Sequence, residues 1–487
     1  MNLASLRLIS VSATSSVALA FLPLVHATNG IWTNSSGGTW SASGNWNGGT
    51  IADGADATAD FSSLDIAADQ TVTLDTNRTV GSLTFGDTSG TSAWTLGGAS
   101  ALTLATGSGS PTITTNTNVT LHAALQGTQG FTKQGSGSLK LSGGASNTIS
   151  GSILVNAGSL AIDDTNSIKN TTASITVASG ATLDFWGAYQ SGAMTNALTI
   201  GGTGINGEGA FTISGNGYYN GTITLSSDAK IAHSANAGTI DGTITGSGQN
   251  LDLAAAYGGQ PDFIIGASIQ TGTGGVTIHA SGTQQVQLNG INTYTGATTV
   301  STGHLMVNGS ITSAVTVNSG ALFGGTGSST RSLHINSGGT LTGGASGAVG
   351  TFTTTNTVTF DSGSTYAVDF NSGTAKFDQI IASGFSLGSV TLSLADLGST
   401  TLGLGQTFTI MDGTGTSITG TFTGLSEGSF ITVGSNVFQI SYLADSGKDV
   451  TLTTVASAVP EPATWAMLGG IAALTVTTLH RRRGSRC

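Results

Sequence analysis

Charge is the scarcest resource in this 487-residue chain: Asp, Glu, Lys and Arg together make up 8% of it. Lys and Arg total 13 against 24 acidic residues, for a net charge of −11. Five of the basic residues, Arg7, Arg481, Arg482, Arg483 and Arg486, lie at the extreme ends, which leaves eight scattered through the body. No basic stripe able to neutralise a phosphate backbone can be assembled from them, so nucleic acid is excluded as a partner. Glutamate is limited to Glu208, Glu427 and Glu461. The lone cysteine, Cys487, is the last residue and forms no intrachain disulfide, so stability has to come from packing and backbone hydrogen bonds. Five prolines beside 75 glycines exclude collagen.

Gly, Ser, Thr and Asn fill the space, interleaved with Val, Ile and Leu in short alternating runs, the mark of ordered strands rather than of disorder. A pattern of apolar residue, small residues, Gly and then Leu or Tyr recurs. It stands at Val155-Asn-Ala-Gly-Ser-Leu160, Val177-Ala-Ser-Gly-Ala-Thr-Leu183, Val300-Ser-Thr-Gly-His-Leu305, Val317-Asn-Ser-Gly-Ala-Leu322, Ile335-Asn-Ser-Gly-Gly-Thr-Leu341 and Phe360-Asp-Ser-Gly-Ser-Thr-Tyr366, with consecutive copies 17 to 25 residues apart. Each copy reads as strand, tight turn and strand, with Gly at a positive-φ position and the flanking apolar residues pointing inward. One such unit cannot bury its own apolar face, whereas stacked units can. The expected fold is all-β, a parallel, right-handed β-helix or solenoid; a series of β-sandwiches is the alternative, most open for residues 28–126. With roughly 20 coils between residues 28 and 459 the body would be a rod on the order of 100 Å long.

The ends differ from the body. Residues 1–27 have the form of a signal peptide: Arg7 precedes the mostly apolar stretch Leu8 to Val25, and Val25-His26-Ala27 places small residues for cleavage after Ala27. An uncleaved anchor is the competing reading. In residues 456–487, Pro460-Glu461-Pro462 precedes the uncharged span Ala463 to Leu479, close to the ~17-residue lower limit for crossing a bilayer, followed by Arg481, Arg482 and Arg483. Arginines directly after a span hold that side in the cytoplasm and put the body on the far side. Proline on both sides of Glu461 keeps the tripeptide extended and accessible to a processing enzyme. The tripeptide, span and arginine cluster resemble the PEP-CTERM sorting signal of Gram-negative bacteria. The resemblance implies export through the general secretion machinery, transient anchoring in the inner membrane, processing by an exosortase, and release to the cell surface, outer membrane or extracellular matrix. An ordinary tail anchor would not need Pro-Glu-Pro.

Residues 127–350 carry a second resemblance. Gly130-Phe-Thr-Lys-Gln-Gly-Ser-Gly-Ser-Leu-Lys-Leu-Ser-Gly143, followed by Val155 to Leu160, is similar to the autotransporter-associated β-strand repeat, with a partial copy from Val286 to Gly309. Residues 351–455 resemble the end of such passengers at Gly405-Gln-Thr-Phe-Thr-Ile-Met-Asp412 and at Tyr442 to Val450. The family implies a right-handed β-helical passenger. The membrane barrel that ends an autotransporter does not fit in the ~30 residues after Val455.

Candidate chemistry is thin. The best adjacent carboxylates, Asp163-Asp164, face opposite sides of a strand and read as a solvated turn. His122, His233, His279, His304 and His334 lack a second ligand at metal spacing, although His304 and His334 occupy repeat positions that would stack as a surface ladder. No metal or cofactor is expected. Trp32, Trp40 and Trp46 form either a hydrophobic cap on the first coil, the favoured reading, or a platform for stacking sugar rings. The expectation is a non-catalytic, structural or adhesive surface protein that meets exopolysaccharide or other surface proteins; a polysaccharide-acting β-helix enzyme or a lectin-like module is the alternative.

Overall fold

The computed structural model describes residues 27–142, 147–162, 168, 172–186, 193–255, 263–345 and 347–456. These form an all-β parallel solenoid of about 14 turns. Each coil contributes a short strand to each of three faces, termed A, B and C. One coil in the C-terminal half runs through Thr298–Thr302 on face A, His304–Val307 on face B and Ser310–Ile311 on face C, and each strand pairs in parallel with its counterpart one coil on, Val315–Val317, Leu322–Gly324 and Ser328–Ser329. At ~4.8 Å per coil, 14 turns give a rod of roughly 67 Å, shorter than the 20 coils expected from repeat spacing. Coils with loop insertions, and the departure of the chain from the coil path near residue 407, account for the difference.

The period-2 alternation of strands produces the core. On face A, Trp94, Val119, Leu139, Leu160, Leu183, Phe211, Ile231, Leu253, Ile278, Val300, Val317, Ile335, Phe360 and Leu387 align rung upon rung, and each is buried. The outward positions explain the scarcity of charge. In-register parallel stacking sets equivalent residues ~4.8 Å apart, where a column of like charges would repel. On face C the outward column runs instead through Thr176, Thr199, Thr224 and Thr245.

The ladders pass through residues 126/127 and 350/351 without a break: Val119–Leu121 pairs with Ser138–Leu141, and Ser328–Ser329 with Thr351–Thr354. Residues 28–126 therefore belong to the same solenoid, not to sandwiches. All six repeat glycines, Gly158, Gly180, Gly303, Gly320, Gly338 and Gly363, have positive φ. Two details correct the sequence reading. The first two copies of the pattern turn the chain from face C to face A (Ile153–Val155 to Ser159–Ile162), whereas the last four turn it from face A to face B (Thr298–Thr302 to His304–Val307). Leu322 also does not point inward: it pairs with His304 while the buried Phe323 pairs with Leu305. Six residues lead from Val317 to the inward position, against five from Val300 to Leu305 in the preceding coil, and an offset of one reverses which face a side chain takes.

Both ends are closed. Trp32, Trp40 and Trp46 sit on Phe61 with ring centroids 5.1 to 5.7 Å apart, and Trp40 and Trp46 donate their indole N–H groups to the carbonyls of Ala52 and Trp40. At the other end the parallel order stops. Thr407–Gly413 pairs in parallel with Gln379–Ala382 but antiparallel with Asp449–Val455, which continues into Asn436–Ala444 and Phe430–Val433. Phe370, Phe377, Phe408 and Phe438 pack beneath this cover. The two passenger-like segments of the sequence, 405–412 and 442–450, thus become neighbours in one antiparallel sheet.

Candidate functional site

The coil that begins on face A with Thr182–Trp186 departs from its neighbours at one corner. Between Leu198–Gly202 on face C and Phe211–Ser214 on face A the chain makes an eight-residue excursion, 203–210, where the preceding coil turns with Ala178, Ser179, Gly180 and Ala181 alone. The excursion contains a 3-10 turn, Ile205–Gly207, with Asn206 at φ 52° and Gly204 and Gly207 also at positive φ. Thr182 pins its base, receiving a hydrogen bond from the Ile205 amide (3.0 Å) and donating one to the Gly209 carbonyl (3.0 Å). Lys230, one coil on, pins the tip through the Gly207 carbonyl at 2.9 Å.

This loop walls a groove of about 570 Å³ along face A, floored by Thr182, Asp184, Thr212 and Lys230, with Ile205 and Glu208 on the wall. Asp184 is half-buried and accepts a 2.6 Å hydrogen bond from the Thr212 hydroxyl, its in-register neighbour. Burial pushes the Asp184 carboxyl above the usual range, while the Thr212 bond and the Lys140 charge pull it down. Lys140, Ala161 and Trp186 continue the surface past Asp184. Trp186 is 46% exposed, although its strand neighbour Phe185 is buried. Its indole lies against Gly215, where an added Cβ would come within 2.7 Å of Nε1. The set comprises two carboxylates, two ammonium groups, hydroxyls and one open aromatic face. Concave surfaces of this kind, with a few placed polar groups beside an aromatic, bind small hydroxylated ligands.

None of these residues stood out in the sequence. Asp184 and Glu208 are 24 residues apart, about one coil, so the signal to look for was coil spacing rather than adjacency. Asp163-Asp164 lies outside the described residues, as do Pro460, Glu461, Pro462, the span 463–479, Arg481, Arg482 and Arg483. Ala27 is exposed at the start of the described chain, and the next residue, Thr28, bridges to Asp53. Among the described residues no helix is long and apolar enough to cross a membrane.

The tryptophan cluster is displaced as a sugar platform: Trp32, Trp40 and Trp46 are 0 to 2% exposed and offer no ring face to a ligand. The histidine ladder is also overturned, because His304 is on face B and His334 on face A, paired with Thr316 and Thr359. His334 and His279 each meet an aspartate on their own face, Asp361 at 3.0 Å and Asp252 at 2.8 Å. His122 is exposed, whereas His233 is buried and stacks 5.8 Å from Phe263. Among the described residues no three His, Cys, Asp or Glu side chains gather as a metal site would require.

No protein-family model matches the chain. Over 243 residues, 49% of its length, it is 33% identical to the adhesin BmaC autotransporter of Brucella suis biovar 1 (strain 1330). The chain spans 7% of the length of that relative.

Proposed function

We propose that this chain is an exported β-helical protein of a Gram-negative bacterium, displayed on the cell surface or held in the extracellular matrix, where it acts as a structural or adhesive element rather than as an enzyme. The observation that carries the reading is the coincidence of a continuous parallel solenoid with 33% identity to an autotransporter adhesin across half the chain. A low-charge solenoid with a stacked Thr column on one face is a stiff, weakly charged rod, suited to spacing and contact outside the cell. Protease shaving of intact cells, combined with attachment assays of a strain lacking the protein, tests this: the chain should be cleaved from outside and attachment should fall. A chain protected until the envelope is broken would sink it.

Export and sorting are part of the same proposal. The general secretion machinery would read residues 1–27, and an exosortase would recognise Pro460-Glu461-Pro462 after Ala463 to Leu479 has paused in the membrane with Arg481, Arg482 and Arg483 on the cytoplasmic side. Replacing the three residues by alanine should leave the unprocessed chain in the membrane fraction. Unchanged processing would refute recognition at that site.

A polysaccharide-acting enzyme is the second reading, favoured by one observation: Asp184 and Glu208 line the same groove. Release of oligosaccharides by the purified chain, lost in both Asp184→Asn and Glu208→Gln, would establish it.

A further inference from the structure

The groove on face A joins balanced charges to an exposed aromatic ring, which suits a neutral sugar better than an anion. Lys140 and Lys230 are offset by Asp184 and Glu208, so the surface has no net charge to attract or repel an ionic polymer. The Lys230 ammonium gives one of its three protons to the Gly207 carbonyl and so also shapes the wall. Asp184, fixed by the Thr212 hydroxyl, retains acceptor capacity on a carboxylate beside an open aromatic ring. Among the described residues Trp186 is the one exposed tryptophan; Trp32, Trp40, Trp46 and Trp94 are buried. A large apolar ring is costly to leave in water, and here Gly215 holds it against the coil, so that it is presented rather than folded inward. Pyranose rings have an apolar face that stacks on indole and equatorial hydroxyls that donate to carboxylates.

We infer that the face A groove is a binding site for a neutral oligosaccharide, with Trp186 as the stacking platform, Asp184 as the hydroxyl acceptor and the 203–210 loop as the wall that limits the bound chain to a few sugar units. This rests on the reading of the protein as a surface element and names the class of ligand it would contact.

The test uses the full-length chain in mild detergent, titrated with cellohexaose, maltohexaose, mannohexaose and xylohexaose, and with polygalacturonate as the charged comparison. Intrinsic fluorescence and isothermal titration calorimetry provide the readouts. At least one neutral hexasaccharide should give saturable binding and protect Trp186 from acrylamide quenching, with no comparable response to polygalacturonate. Trp186→Ala should weaken Kd at least tenfold and Trp186→Phe should restore part of it, each with an unchanged circular dichroism spectrum. Asp184→Asn should also weaken binding. Absence of saturable binding across the panel, or affinity indifferent to both Trp186→Ala and Asp184→Asn, overturns the inference. Surface display measured by protease shaving is scored separately, so failure of sugar binding in a displayed protein leaves the surface reading standing, while a protein not displayed sinks that reading alone.

Discussion

Lys133 is the residue whose identity and position are most at odds. Alternation along Phe131–Gln134 sends it inward with Phe131, yet a lysine is almost never fully buried unless its charge is met. It is fully buried, and its three ammonium protons meet three carbonyl oxygens, those of Gln134, Gly135 and Ala157, at 2.9 to 3.0 Å. Burial pulls its pKa down to about 8. Ala157 belongs to the next coil, and the following residue, Gly158, has φ 65°, with any Cβ falling 2.8 Å from the lysine nitrogen and 2.4 to 2.5 Å from two carbonyls. The lysine of one repeat and the glycine of the next are therefore one device. Lys133→Met should destabilise the protein by about 2–4 kcal/mol, because it strands buried carbonyls, and Gly158→Ala by about 2 kcal/mol or more through strain at positive φ. In urea denaturation the double variant should cost less than the sum, as expected of residues that share partners. Period-2 alternation along the strand is enough to send this lysine inward; what it does not reveal is the third acceptor, which comes from a residue 24 positions away.

At the scale of strands and turns, the alternating pattern made the solenoid readable, since a coil is little more than three short strands and their corners. The position of each corner was not readable. The same strand-turn-strand phrase closes one corner in the first half and another in the second, because Gly at positive φ and two flanking apolar residues satisfy either corner equally. The groove was hidden for a related reason: its wall is an insertion whose glycine-rich text resembles every other turn. A buried carboxylate ties a comparable irregularity near the C-terminal end. Asp378 accepts from the Thr342 hydroxyl (2.9 Å) and from the Gly350 and Asp369 amides (2.7 and 3.0 Å), joining segments of two successive coils. Burial outweighs these bonds and pushes its pKa up to about 6, from an ordinary 3.8. The folded state therefore holds this proton more tightly than the unfolded chain. Its contribution is fully present below about pH 4, falls as pH rises through 6, and changes little above. The stability difference between wild type and Asp378→Asn, measured by urea denaturation, should accordingly shift by up to about 3 kcal/mol between pH 4 and pH 7, against the wild type at the higher pH. A pH-independent difference would refute the assignment.

For the molecule as a whole, stability is a sum of nearest-neighbour coil contacts, and the two ends are where such a sum fails first. The N-terminal indoles stand where a further coil would otherwise be required. Trp40→Ala should cost about 3–5 kcal/mol and expose the first rungs, so the variant should elute as higher-order species on size exclusion while the wild type does not. Few ion pairs support the body among the described residues; Arg78–Asp53 and Lys448–Asp445 are two of them. Thermal stability should therefore be nearly flat between low and high salt, a measurement that separates this rod from surfaces held by charge networks.

The closed ends also determine what the rod can build. Parallel strands recruit further strands only where a rung is open, and here tryptophans cover the first coil while an antiparallel sheet lies across the last on face C. Axial addition of strands is hindered at these two places, by the indoles at one end and by the antiparallel sheet on face C at the other. Assembly of such rods into larger bodies would then favour lateral contact, along flat surfaces such as the face C column of Thr176, Thr199, Thr224 and Thr245.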